Sequence, residues 1–129
     1  MPSELTKKNI IIGMLSGSPF KLEDVVSEVQ SFCLGLRLEH WKTTDFAAHK
    51  ALESTQESLT ELLDAFVEAG IGLNEGKRPT FNEELKATTD EDTLIRCLKE
   101  ITTRDTAMLN IRDEMLQALY KFKYLKTLR

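Results

Sequence analysis

The sequence predicts an all-α fold, a bundle of four helices with a long connection between the second and the third. Three observations carry that expectation. Only 3 Pro and 6 Gly occur among 129 residues, which leaves long runs free of helix breakers. Apolar residues recur at three- and four-residue spacing in four separate segments. One short turn, one long Gly-containing stretch and one brief polar interruption separate these segments. With 41% hydrophobic and 29% charged residues, the chain has the balance of one globular domain with a real core. Residues 1–17 read as an N-terminal segment and residues 18–129 as a single domain.

Ser18-Pro19 offers an N-cap followed by proline at the first helical position, so the first helix is expected over 19–42. Leu22, Val25, Val26, Val29, Cys33, Leu36 and His40 fall on its inner face. The turn from Lys42 to Asp45 is short, which implies an antiparallel neighbour, and Thr44 or Asp45 can cap it. The second helix is expected over 45–69, with His49, Leu52, Gln56, Leu59, Leu63, Phe66 and Val67 inward and Gly70 as its stop. Residues 70–88 are long for a bare loop, and Thr80 with Glu83 after Pro79 forms a capping-box pattern, so a short helix is expected over 81–87. Thr88 with Glu91 repeats the pattern ahead of Leu94, Cys97, Leu98 and Ile101. The fourth helix follows over 105–128, striped by Met108, Ile111, Met115, Leu119, Phe122 and Leu125.

A formal net charge of -4 argues against nucleic acid being drawn to the chain as a whole by its field. Lys121, Lys123, Lys126 and Arg129 make a basic end on the fourth helix, which suits the helix macrodipole, with nucleic-acid contact as the alternative. Arg104 and Arg112 read as surface charges. Cys33 and Cys97 each sit inside an apolar helical pattern and read as buried reduced thiols, which points to a cytoplasmic location. The apolar run from Ile10 to Leu15 behind Lys7 and Lys8 is too short for a signal peptide, and no stretch is long enough to span a bilayer.

The chemistry gathers around one turn. Both histidines of the chain flank it, His40 at the end of one helix and His49 about one turn into the next, so they should face each other. Buried imidazoles need partners, and a shared metal ion is a common one. On the second helix, Glu53 lies about 40° from His49, Asp64 about 20° from Glu53, and Glu68 about 40° from Asp64. All four project to one side. Yet His49 and Asp64 are separated by about 22 Å along the helix, so they cannot ligate one ion within one chain. Two such helices crossing antiparallel about a two-fold axis would bring the histidine end of one against the Asp64 and Glu68 end of the other. Mixed imidazole and carboxylate donors suit iron, with zinc or manganese as substitutes. Trp41 is explained by packing at the corner or by a redox role beside the metal.

His40-Trp41, then His49-x-x-x-Glu53, then Asp64-x-x-x-Glu68 resembles the pattern of Dps-type miniferritins. There a His-Trp pair ends the first helix, and His-x-x-x-Asp and Asp-x-x-x-Glu lie on the second. The specific match covers about residues 33 to 70. The resemblance implies a ferritin-like four-helix bundle with a long crossover that carries a short helix. It also implies that His40, His49, Glu53, Asp64 and Glu68 are the metal-binding and catalytic residues, with the histidines from one subunit and Asp64 and Glu68 from its two-fold mate. The whole chain is also similar to short uncharacterised ferritin-like proteins found largely in viruses, with Asn110-Ile111-Arg112-Asp113-Glu114 and Tyr124-Leu125-Lys126-Thr127-Leu128 as shared endings. A viral origin would put the protein in the host cytoplasm or the virion.

The function so implied is ferroxidase chemistry: Fe(II) bound at intersubunit sites and oxidised to Fe(III) by peroxide or oxygen, iron storage, and protection of DNA. The implied partner is a second copy, up to a dodecameric cage; DNA is a weaker expectation, and no membrane is expected. The alternative is a non-catalytic ferritin-like interaction protein whose histidines and acids hold a structural metal or a polar dimer seam. Three departures stand out. Glu53 replaces the family's usual Asp, Ala69-Gly70 stands where an Arg often follows, and the chain lacks a long Lys-rich N-terminal arm.

Overall fold

A computed structural model describes residues 21–128. Among them are four α-helices and no strand: α1 (Leu22–Lys42), α2 (Phe46–Leu73), α3 (Glu91–Lys99) and α4 (Thr106–Lys126). Helix α1 packs on α2 and α3, and α4 packs on the same two, so the helices close a four-sided core. No described helix is long and apolar enough to cross a membrane.

The apolar stripes meet as their periodicity demands. Leu22, Val25, Val29 and Leu36 of α1, Leu59, Leu63 and Phe66 of α2, Leu94, Cys97 and Leu98 of α3, and Met108, Met115 and Leu119 of α4 are buried. Full burial of each large apolar side chain stabilises the fold by about 1.5–3 kcal/mol. Phe32 joins them and meets the Phe122 ring edge-on, with centroids 6.3 Å apart. Both cysteines are free and buried. Burial raises the Cys33 thiol pKa and pushes that of Cys97 up to about 12, so neither is a ready thiolate.

The helix ends depart from expectation at the start of α1 and at the end of α2. Lys21 is extended, and its N–H is accepted by the Asp24 carboxylate at 3.0 Å, so α1 begins at Leu22 rather than 19. Ser18-Pro19 and the N-terminal segment lie outside the described residues. Helix α2 runs through Gly70 to Leu73. Gly70 is a packing residue, because a Cβ there would come within 3.2 Å of Leu22 and 3.3 Å of Met108. The actual stop is a Schellman closure, in which the Gly76 N–H donates to the Ile71 carbonyl at 2.8 Å and the Glu75 N–H to Gly72 at 3.3 Å.

Glu75 holds the left-handed position of that closure, with φ 58. A left-handed backbone costs an L-residue roughly 1–2 kcal/mol, and glycine gives back about 0.5–1 of it as entropy. Glu75→Gly should therefore stabilise the fold by about 0.5–1 kcal/mol in urea unfolding. A loss of stability would contradict this cap.

The short helix expected over 81–87 is absent, and residues 77–90 carry no regular secondary structure. The Thr80 and Glu83 pattern is not used as a cap; instead the Asn82 side chain accepts the Glu84 N–H at 3.0 Å. Further along, the Thr88 N–H donates to the Ser31 carbonyl of α1 at 3.1 Å. The connection thus spends backbone hydrogen bonding on a neighbouring helix. It runs from the end of α2, beside the start of α4 at Met108, to Glu91, beside the end of α4 at Lys126.

Three aspartates cap the following helices: Asp45 accepts the Ala48 N–H, Asp90 the Thr93 N–H and Asp105 the Met108 N–H. Asp90 replaces the Thr88 and Glu91 pairing expected for α3. Glu91 is buried instead and ion-paired with Lys126, with Lys123 at 3.6 Å; Lys123 also meets Asp92 at 2.7 Å. Two members of the basic end are therefore engaged with acids of α3. Arg112, read as a surface charge, donates to the Leu98 carbonyl at 3.2 Å and closes the end of α3.

Candidate metal centre

The turn over residues 43–45 reverses the chain between α1 and α2. Asp45 secures the reversal, since its side chain caps α2 and its carbonyl accepts the His49 N–H at 2.9 Å. His40 and His49 then meet as stacked rings, with centroids 3.9 Å apart and planes inclined by 27°. Their hydrogen bonds are reciprocal. His40 Nδ1 lies 3.3 Å from the His49 carbonyl, and His49 Nδ1 lies 3.3 Å from the His40 carbonyl.

A carbonyl oxygen only accepts, so each Nδ1 must be the protonated nitrogen for these bonds to form. The consequence falls on the other side of each ring. In the neutral rings both Nε2 atoms then carry the free lone pair, and both face the Glu53 carboxylate, at 3.9 Å from His40 and 3.7 Å from His49. Among the described residues, His40, His49 and Glu53 are the group whose ligand atoms lie within 4.8 Å of one another. The backbone carbonyl behind each imidazole is the arrangement that orients metal-bound histidines.

The site is partly open. The His40 side chain is 15% exposed, against 37% for His49 and 35% for Glu53. Lys50 approaches from the solvent side, with Nζ 3.6 Å from the other Glu53 oxygen and 5.9 Å from the Phe46 ring centroid. Its i, i+3 spacing to Glu53 is the sequence signal for this contact. The reciprocal carbonyl bonds had no sequence signal, because they depend on how closely two helices approach.

Asp64 and Glu68 are exposed on α2 and are not brought to the histidines within the chain. Trp41 does not pack at the corner. It is 68% exposed, because it follows inward-facing His40 by one residue and so points about 100° away. Phe46, across the turn, is 72% exposed.

The model of a protein family described as a family of unknown function, DUF5856, matches residues 40–125. The chain belongs to this family. The DUF5856 match starts at His40 and takes in His49, Glu53, Asp64 and Glu68. No curated protein and no solved structure matches the chain.

Proposed function

We propose that the protein is a ferritin-like iron-binding protein that takes Fe(II) at the His40, His49 and Glu53 corner and oxidises it in a two-fold dimer. The observation that carries this reading is the pair of Nδ1-to-carbonyl contacts, which leaves two imidazole Nε2 lone pairs aimed at one carboxylate. The donor chemistry fits the ion. Imidazole nitrogen holds Fe(II), and carboxylate oxygen favours the more oxygen-seeking Fe(III). The bundle connectivity supports a ferritin-like arrangement, since the long connection after α2 docks on α1, with the Thr88 N–H on the Ser31 carbonyl, before α3 begins.

In this proposal Asp64 and Glu68 of the two-fold mate complete the site, because about 22 Å of rigid helix separates them from His49 in their own chain. Each Fe(II) gives up one electron. Peroxide accepts a pair of electrons and a pair of protons and leaves as water, so a site serving it must hold or serially supply two irons. Zinc or manganese would occupy the same donors without being the oxidised substrate. The test is aerobic Fe(II) oxidation followed by ferric absorbance. His40→Ala and Asp64→Ala should each slow it by at least about tenfold, and traces identical to the wild type would sink the ferroxidase reading.

The exposed aromatics favour one second reading, in which the corner is an interaction surface with a structural metal. Trp41 and Phe46 flank the histidines with most of their surface in water. That reading expects metal binding without iron oxidation. The engagement of Lys123 and Lys126 by acids of α3 gives a DNA-coating role no support.

A further inference from the structure

We infer that His40, His49 and Glu53 form a complete tridentate site within one chain, so that each protomer captures a divalent transition metal before any carboxylate arrives from a second copy. This rests on the corner being a metal site, as proposed above, and concerns the order in which that site is built.

Three protein donors are enough to hold an ion. Metal centres that keep an open position for water or substrate commonly use three side chains, and two histidines with one carboxylate form a recognised Fe(II) set. All three donors here come from fourteen consecutive residues, His40 to Glu53, bridged by one capped turn. Their geometry exists before any ion binds. The two rings are stacked, each is pinned by the other's backbone, and Glu53 sits one helical turn beyond His49. Nitrogen or oxygen ligands lie about 2.0–2.2 Å from an ion of this kind, so neighbouring donors on it are about 3 Å apart. The Nε2-to-Glu53 separations are 3.7 and 3.9 Å and all three donors lie within 4.8 Å of one another, so a contraction of about 1–2 Å brings them onto one ion. Little ordering is left to be done on binding, which is where preorganisation gains affinity.

What surrounds the donors fits capture by a free protomer. Glu53 and His49 are about one third exposed, so the remaining coordination positions open to water. Lys50 is the cation that shares Glu53 with the incoming metal, at 3.6 Å and 59% exposed. Asp64 and Glu68 take no part, being exposed farther along α2. The division of labour fits the electron count: one Fe(II) supplies one electron, half of what peroxide needs, so a single captured ion does not by itself complete the reaction. Capture belongs to the chain and oxidation to the assembly.

The experiment is a Co²⁺ titration followed by visible absorbance, which reads binding without turnover. Each variant is first checked for folding by circular dichroism. Asp64→Ala/Glu68→Ala should bind one Co²⁺ per chain with an affinity within about threefold of the wild type's first ion, while Glu53→Gln, which keeps the side-chain shape, should weaken it at least about tenfold. If Asp64→Ala/Glu68→Ala abolishes the first ion as fully as His40→Ala/His49→Ala does, the single-chain site is wrong while the shared iron site stands. If His40→Ala/His49→Ala binds Co²⁺ like the wild type, both readings fail.

Discussion

Gly35→Ala is expected to lower the unfolding midpoint by roughly 4–8 °C, although the same change in an open helix would raise it. Gly35 lies inside α1, where Ala is the better helix former by about 1 kcal/mol. Here the 77–90 connection passes too close. A Cβ at position 35 would stand 1.9 Å from the Thr88 carbonyl oxygen and 2.6 Å from its carbon. Both obstructing atoms are backbone, and the Thr88 N–H is tied to Ser31, so they cannot swing aside as a side chain would. Overpacking of this kind costs about 1–3 kcal/mol or more, which exceeds the propensity gain. Gly72 is the internal control. A Cβ there meets nothing within 4 Å, so Gly72→Ala should raise the midpoint. Equal shifts at the two glycines would contradict the docked connection.

The second large effect concerns shared sites. A subunit carrying His40→Ala/His49→Ala keeps Asp64 and Glu68, and a subunit carrying Asp64→Ala/Glu68→Ala keeps the histidine corner. In the proposed dimer each mutant homodimer lacks every complete shared site and should oxidise Fe(II) no faster than buffer. In a heterodimer, the two-fold axis places the intact halves together once and the damaged halves together once. Equal mixing with free exchange makes half of the dimers mixed, so about one quarter of the wild-type sites should return. Native mass spectrometry establishes that heterodimers have formed. Mixed dimers with no oxidation above the parents would place all ligands within one bundle.

The sequence made the helical core and the histidine corner legible for the same reason: both depend on spacing along one rigid element. The stripes through Leu59, Leu63 and Phe66, and through Met108, Met115 and Leu119, are periodic and are buried as periodicity requires. Phe32 was missed because α1 packs on both α2 and α3, which widens its buried face beyond a single stripe. Gly70 was misread as a stop because a glycine that ends a helix and one that admits a neighbour look alike in sequence. The capping patterns at Thr80 and Thr88 were real in composition but are not used; Asn82 accepts the Glu84 N–H and Asp90 the Thr93 N–H, so the local turns are built two residues further on. Glu91 shows the same limit. As a charged residue it was assigned only to a cap, and its burial became visible once Lys123 and Lys126 were seen to meet it.

Within the candidate metal centre, helical spacing was enough to place Glu53 beside His49 and to separate Asp64 from both. It carried no information on ring orientation. The tautomers follow from two carbonyls contributed across the turn. For the same reason Trp41, adjacent in sequence to a site residue, is not packed at the corner: one residue of helix turns its side chain out into water.

The tautomers are also where the account is most directly tested, because His40 and His49 are the 2 histidines of the chain and their signals cannot be confused with others. Long-range proton–nitrogen NMR on the imidazole rings distinguishes a protonated Nδ1 from a protonated Nε2. Metal-free protein at neutral or mildly alkaline pH should show both rings protonated at Nδ1, and Zn²⁺ should shift both Nε2 resonances together while leaving each Nδ1 protonated. Rings protonated at Nε2, or Nε2 resonances unmoved by saturating Zn²⁺, would contradict the metal centre.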